Sequence, residues 1–154
     1  MTETSRSDQL TRAIQRYLDL MYDGDVQHYD QVFRATAQLH GLRDGTMAIL
    51  SSAAFKELIA GRPSPRALGA PRHEEVLLVD VASPTQALAK VRVRIGAVVF
   101  IDYLTYHWEA GDWTITAKGF DVERTYPTPT TPNDEAASTR AARRAPARGT
   151  PGTR

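Results

Sequence analysis

The chain has no cysteine, which excludes disulfides, thiolate nucleophiles and cysteine-ligated zinc at once. It has no apolar run near the ~20 residues that a membrane-spanning helix needs. Its polar start, MTETSRSDQ, lacks the apolar stretch of a secretory signal. Neither charge is in excess: 19 Lys and Arg balance 18 Asp and Glu, for a formal net charge of +1, so bulk charge gives no attraction to nucleic acid. There is no Walker loop, no Gly-x-Gly-x-x-Gly and no Gly-x-Ser-x-Gly. His28, His40, His73 and His107 show neither His-x-x-x-His spacing nor an adjacent carboxylate motif, so no metal site is expected. The expectation left is a cytoplasmic protein that works without a metal, an organic cofactor, a nucleic acid or a membrane.

What is present has the pattern of one folded unit followed by a tail. Leu10, Ala13, Ile14, Tyr17, Leu18 and Met21 recur at helical spacing, which predicts a helix over Ser7 to Tyr22, with Ser7 as its cap and Gly24 as its stop. Asp25 is placed to cap a short second helix through Val26, Tyr29, Val32 and Phe33. Asp44-Gly45 is a hairpin signal between strands over Ala37–Arg43 and Thr46–Leu50. Ser51 or Ser52 caps a third helix, Ala53 to Ala60, with Ala54, Phe55, Leu58 and Ile59 on its apolar face. A loop with three prolines follows, from Arg62 to Arg72.

Four strands then come in succession: Glu74–Val81, Gln86–Ile95 and the two arms of the hairpin Val98–Val122, turning at Ala110-Gly111. The second alternates cleanly, with Ala87, Ala89, Val91, Val93 and Ile95 opposite Lys90, Arg92 and Arg94. The predicted fold is α+β, with helices on one face of a curved antiparallel sheet. Residues 1–124 form the domain. Residues 125–154, rich in Pro, Thr, Ala and Arg, carry no periodic apolar face and read as a disordered tail.

The hairpin holds both tryptophans and places charged Asp102, Lys118 and Asp121 inside apolar runs. With a two-residue turn, Trp108 faces Trp113 and Asp102 faces Gly119. One face then carries Phe100, Asp102, Leu104, Tyr106, Trp108, Trp113, Ile115 and Asp121. The other carries Tyr103, His107, Lys118 and Phe120. A bulge would exchange part of this assignment.

These elements resemble the nuclear transport factor 2-like (SnoaL-like, cystatin-like) superfamily, and within it the putative lumazine-binding group. The resemblance spans about residues 8 to 123. It is carried by Tyr22-Asp23-Gly24 ending the first helix, Gly24-Asp25 opening the second, Phe33, Ala37 and the pair His40-Gly41. It is clearest in Asp102-Tyr103-Leu104-Thr105, Gly111-Asp112-Trp113 and Lys118-Gly119-Phe120. The group often has a histidine directly after that last phenylalanine, where this chain has Asp121. The resemblance implies a cone-shaped sheet whose concave face closes on the helices around a pocket. It also implies a homodimer through the outer sheet face. The fold hosts isomerases, cyclases, dehydratases and binding domains alike.

On that reading the apolar face lines the pocket. Asp102 and Asp121 are expected there as diagonal neighbours, and a carboxylate walled in by apolar side chains resists ionisation, which suits proton transfer. His40 lies close to where isomerase-type members carry their base, and Tyr17 projects from the core face of the first helix as a phenol donor. Tyr106, Trp108, Trp113, Phe33, Phe55 and Phe100 form the expected substrate wall. Lys118 is expected outside, in a salt bridge or a subunit contact, because Schiff-base chemistry would need a dry pocket. The leading expectation is a cofactor-independent acid–base enzyme of isomerase, cyclase or dehydratase type acting on a small organic substrate. The alternatives are a non-catalytic small-molecule-binding module and a purely structural dimer.

Overall fold

A computed structural model describes residues 4–127. The proline-rich tail expected from Thr125 onward therefore falls, from residue 128, outside the described residues. Helix α1 (Arg6–Asp23) begins one residue before the expected start, because the capping hydroxyl is that of Ser5, which accepts the Asp8 amide at 3.1 Å. Its apolar stripe buries Leu10, Ala13, Ile14, Tyr17, Leu18, Leu20 and Met21. Gly24 ends it in the left-handed conformation, φ 65°. Asp25 caps a 3₁₀ turn, Val26–His28, that runs into the single turn of α2 (Tyr29–Val32). Phe33 lies beyond it, at the start of a strand.

Six strands form one sheet: β1 (Phe33–Arg43), β2 (Thr46–Ser51), β3 (Glu74–Ser83), β4 (Gln86–Ile95), β5 (Val98–Glu109) and β6 (Asp112–Thr125). Helix α3 (Ser52–Gly61) follows β2, with Ser51 as its cap. The strand order is β2-β1-β6-β5-β4-β3. All neighbours are antiparallel except β1 and β6, which run parallel. Both tight hairpins turn through two residues of positive φ, Asp44-Gly45 and Ala110-Gly111, the geometry that matches strand twist.

The helices cover one face. Helix α1 packs on β4 and β6, and α3 packs on β1. Between them sits an aromatic cluster: Tyr29 stacks on Phe33 at 5.0 Å, and Phe33 meets Phe55 edge-on at 5.5 Å and Tyr17 at 6.0 Å. The Tyr29 hydroxyl donates to the Ser52 carbonyl at 2.8 Å, tying α2 to the start of α3. Burying each of these large side chains contributes about 1.5–3 kcal/mol. At the far end of the sheet Trp113 is buried against Trp108, and its indole N–H donates to the Arg6 carbonyl at 3.0 Å.

The β5–β6 ladder keeps the expected register only from the turn to Tyr106↔Ile115. The next pair is Thr105↔Ala117, so Thr116 is an extra residue, a β-bulge. Its hydroxyl meets His107 Nδ1 at 2.6 Å. From the bulge to Val122 the side chains of β6 take the face opposite to the one expected; a second shift follows between Phe100↔Val122 and Val99↔Arg124. Lys118, paired with Leu104, and Phe120, paired with Asp102, point under the helices. Asp121, paired with Ile101, points to the exposed side.

Gly24 offers a direct check on this frame. A Cβ there would lie 2.8 Å from the Cβ of Ser64, on a backbone that L residues rarely adopt. Gly24→Ala is expected to lower stability by about 1–3 kcal/mol, read as a lower urea midpoint with unchanged slope.

Candidate functional site

A cavity of about 260 Å³ opens between the C-terminal half of α1, helix α3 and the covered face of β1, β2, β4, β5 and β6. Met21, Leu39, Leu50, Phe55, Phe100 and Phe120 supply most of its wall. Four charged side chains join them: Asp102, Lys118, Arg43 and Arg62. Pockets that bind small molecules have this make-up, an apolar wall with a few convergent polar groups.

Asp102 and Lys118 are brought together by register. Asp102 faces Phe120 and Leu104 faces Lys118, so the two lie diagonally on adjacent strands. Asp102 is 1% exposed and Lys118 7%, and Lys118 Nζ lies 3.5 Å from Asp102 Oδ2. Tyr17 reaches the same oxygen from α1, its hydroxyl donating to Asp102 Oδ2. Asp102 Oδ1 is buried and has no hydrogen-bond partner. One carboxylate oxygen therefore accepts the phenol hydrogen bond and forms the ion pair, and the other has no partner.

The ammonium sits among rings, 4.7 Å from the centre of Phe55 and 5.3 Å from that of Tyr17. Burial pulls Lys118 below its ordinary value of 10.5, the nearby Asp102 pulls it back, and Arg62 adds like-charge repulsion. The net direction is down. Burial pushes Tyr17 well above 10.0, and the charge and hydrogen bond of Asp102 push it further. Arg62, at the C-terminal end of α3, is half-buried, and burial lowers its value too. It makes no ion pair among the described residues, whereas Arg16 of α1 and Arg66 and Arg72 of the loop before β3 do.

Of the residues expected from sequence, Asp102, Phe55 and Phe100 line the cavity, and Tyr17 adjoins it through Asp102. The expectation for His40 is corrected. Leu39 and Gly41 face inward, so His40, between them and opposite Ile49 and Gly119, is exposed on the outer face. Asp121 is corrected by the Thr116 bulge, which turns it outward. Phe33 is used up in the aromatic cluster, 1% exposed. Tyr106 is buried with its hydroxyl unpartnered, and it does not border the cavity. Trp108 and Trp113 pack at the opposite end of the sheet, against Arg6.

Sequence reasoning missed Lys118, Arg62 and Phe120. A signal existed for two of them. Large apolar residues of β6 stand at odd positions in Trp113 and Ile115 and at even positions in Phe120 and Val122, and that change of parity marks a bulge. Arg62 carries no such signal.

No curated protein matches the chain. The profile of the family described as "Putative lumazine-binding" matches residues 5–121. Among solved structures, an NTF-2 like protein of unknown function from Silicibacter pomeroyi DSS-3 is 22% identical with a TM-score of 0.66, covering 80% of this chain and 100% of its own. An NTF2-like protein of unknown function from Shewanella baltica OS155 is 18% identical, TM-score 0.66, covering 83% and 99%. A ketosteroid isomerase-like protein from Erwinia carotovora atroseptica SCRI1043 is 11% identical, TM-score 0.60, covering 79% and 99%. At these identities the likeness is one of fold.

The buried phenols set the alkaline limit of the fold. Tyr17, Tyr29 and Tyr106 all hold their protons more tightly than an exposed tyrosine, chiefly through burial. Above the ordinary 10.0 the unfolded chain sheds these protons first, so stability falls as pH rises. Lys118 has the opposite sign. Below its ordinary 10.5 the unfolded chain binds the extra proton, so its contribution grows with pH up to that point. Three phenols outweigh one amine, and urea midpoints are expected to fall steeply above about pH 10. Tyrosinate absorbance from the buried rings should appear with unfolding and not ahead of it.

Proposed function

Since the chain belongs to the Putative lumazine-binding family, with an NTF2-like fold, we propose that its cavity takes a small organic molecule and that Asp102 moves a proton on it. The carrying observation is the division of labour within one carboxylate. Asp102 Oδ2 is fixed by Tyr17 and Lys118, while Oδ1 is buried beside the cavity without a partner. A base held in one orientation, with an unpartnered oxygen and apolar walls, suits abstraction next to a carbonyl. Lys118 and Tyr17 then stand where negative charge would develop, as a cation and an O–H donor. The reaction class is isomerisation, cyclisation or dehydration without an organic cofactor. His40 and Asp121, on the far side of the sheet, take no part.

A second reading is favoured by the ion pair itself. Asp102 and Lys118 neutralise each other, so the same cavity could serve as a non-catalytic binding site for a flat or apolar ligand. One measurement separates the two. Purified protein is incubated in deuterated buffer with a panel of small ketones and aldehydes, lumazine being added as a binding control. Exchange of the hydrogens beside the carbonyl is followed by NMR. Asp102→Asn is expected to slow that exchange by about 10²–10⁴-fold. Ligand binding with no exchange above buffer in the wild type would leave only the binding reading.

We also infer that the outer sheet face pairs with a second copy. One row crosses all six strands there: Leu78, Lys90, Tyr103, Gly119, His40 and Ile49. Leu78, Tyr103 and Ile49 are each about half exposed, at 52%, 45% and 63%, and Leu42 and Met47 extend the apolar surface beside Ile49. An apolar sheet face with an aromatic at its centre suits an isologous contact. Sedimentation is expected to show a dimer, and Tyr103→Glu to shift it to monomer without unfolding. A wild-type monomer at micromolar concentration would remove the inference.

A further inference from the structure

Lys118 is placed better than a structural ion pair requires. A buried ion pair is weak support for stability, because desolvating two charges offsets most of their attraction. Two apolar side chains would fill the same space at less cost. The lysine also has the surroundings that an amine nucleophile needs. It borders a cavity, its Nζ is enclosed by the Phe55 and Tyr17 rings, and a carboxylate stands 3.5 Å away. Arg62, without an ion-pair partner among the described residues, adds a second cation to the same wall. The groups facing Lys118 are Tyr17 from α1, Arg62 from the end of α3 and Asp102 from β5. Two of these, burial apart, act on the charge of the amine in opposite senses, Asp102 favouring it and Arg62 opposing it. Burial is the largest influence, and the net effect is that Lys118 gives up its proton more readily than an exposed lysine.

We propose that Lys118 captures the carbonyl carbon of a small 2-oxo acid as an imine, with Arg62 receiving the carboxylate. The inference rests on the reading of the cavity as a small-molecule site and adds a covalent step to it. The Nζ lone pair forms the C–N bond, and the carbonyl π pair moves to oxygen. Asp102 takes one proton from the nitrogen and returns it to that oxygen. A second proton, delivered through the Tyr17 hydroxyl and replaced from solvent, lets the hydroxyl leave as water. The iminium keeps one N–H hydrogen and the positive charge. An iminium withdraws electrons from the adjacent carbon more strongly than a neutral carbonyl, so proton removal by Asp102 becomes easier.

The chain has only three lysines, Lys56, Lys90 and Lys118, which makes the test direct. The protein is incubated with phenylglyoxylate and sodium cyanoborohydride, which reduces an imine to a stable amine, and the label is located by peptide mass spectrometry. Most of the label is expected on Lys118, although Lys56 and Lys90 are the solvent-facing lysines. Label on Lys56 or Lys90 equal to or above that on Lys118 overturns the proposal, and the wild-type map alone decides this. Lys118→Met should lose at least tenfold of the total incorporation, and Arg62→Gln should slow labelling several-fold. Unchanged labelling in Arg62→Gln removes the carboxylate from the substrate class. Absence of label with intact, Asp102-dependent exchange sinks the covalent step and leaves the proton-transfer reading standing. Label on Lys118 without exchange does the reverse.

Discussion

The contact on which the rest depends is the meeting of three polar groups under the helices, Tyr17 with Asp102 and Asp102 with Lys118. It joins α1 to β5 and β6 across the apolar interior, so the helix is located by a hydrogen bond as well as by its hydrophobic stripe. Packing alone is tolerant of small slides. A phenol that must reach a particular carboxylate oxygen is not. The depth of the cavity, set by how far α1 and α3 stand off the sheet, is therefore tied to the same atoms that give it its charged groups.

That arrangement has an energetic oddity. The aromatic cluster of Tyr17, Tyr29, Phe33 and Phe55 packs the helix end of the molecule. Next to it sit a carboxylate, an ammonium and an unpartnered carboxylate oxygen, which a core does not need and which desolvation penalises. Titratable groups shifted by burial beside a cavity, here Tyr17, Arg62 and Lys118, gather more often at working sites than in packed cores. Gly41 fits the same pattern. Any side chain there would overlap the Phe120 ring, which lies over the strand at the cavity wall.

Much of the fold was legible because it is governed by local rules. Ser5 and Asp25 cap helices within a residue or two of where the hydroxyl and carboxylate signals suggest, and Asp44-Gly45 and Ala110-Gly111 turn the chain as their backbone freedom demands. The site was less legible because it depends on which face a strand residue takes, a property that one inserted residue reverses. Asp102 lies on β5 and was placed correctly, since β5 counts from the turn without interruption as far as Asp102. Lys118 and Asp121 lie past the Thr116 bulge and were exchanged. His40 shows a different limit: its inward neighbours Leu39 and Gly41 set its direction, and a glycine carries no apolar signal by which to see it. Arg62 comes to the cavity only through the placement of α3, which no periodicity encodes.

The Thr116 bulge also insulates the cavity lining from the length of the hairpin tip. Removing that single residue would return β6 to simple alternation with Lys118 and Phe120 still under the helices and Asp121 still outside, because Thr105↔Ala117, Leu104↔Lys118 and Asp102↔Phe120 would remain the pairs. A fold built this way can gain or lose one residue between the hairpin tip and the cavity without changing what the cavity presents. Positions in its relatives should then be matched by their ladder partners on β5 and β1, because counting along the chain from the hairpin tip equates residues that face opposite sides.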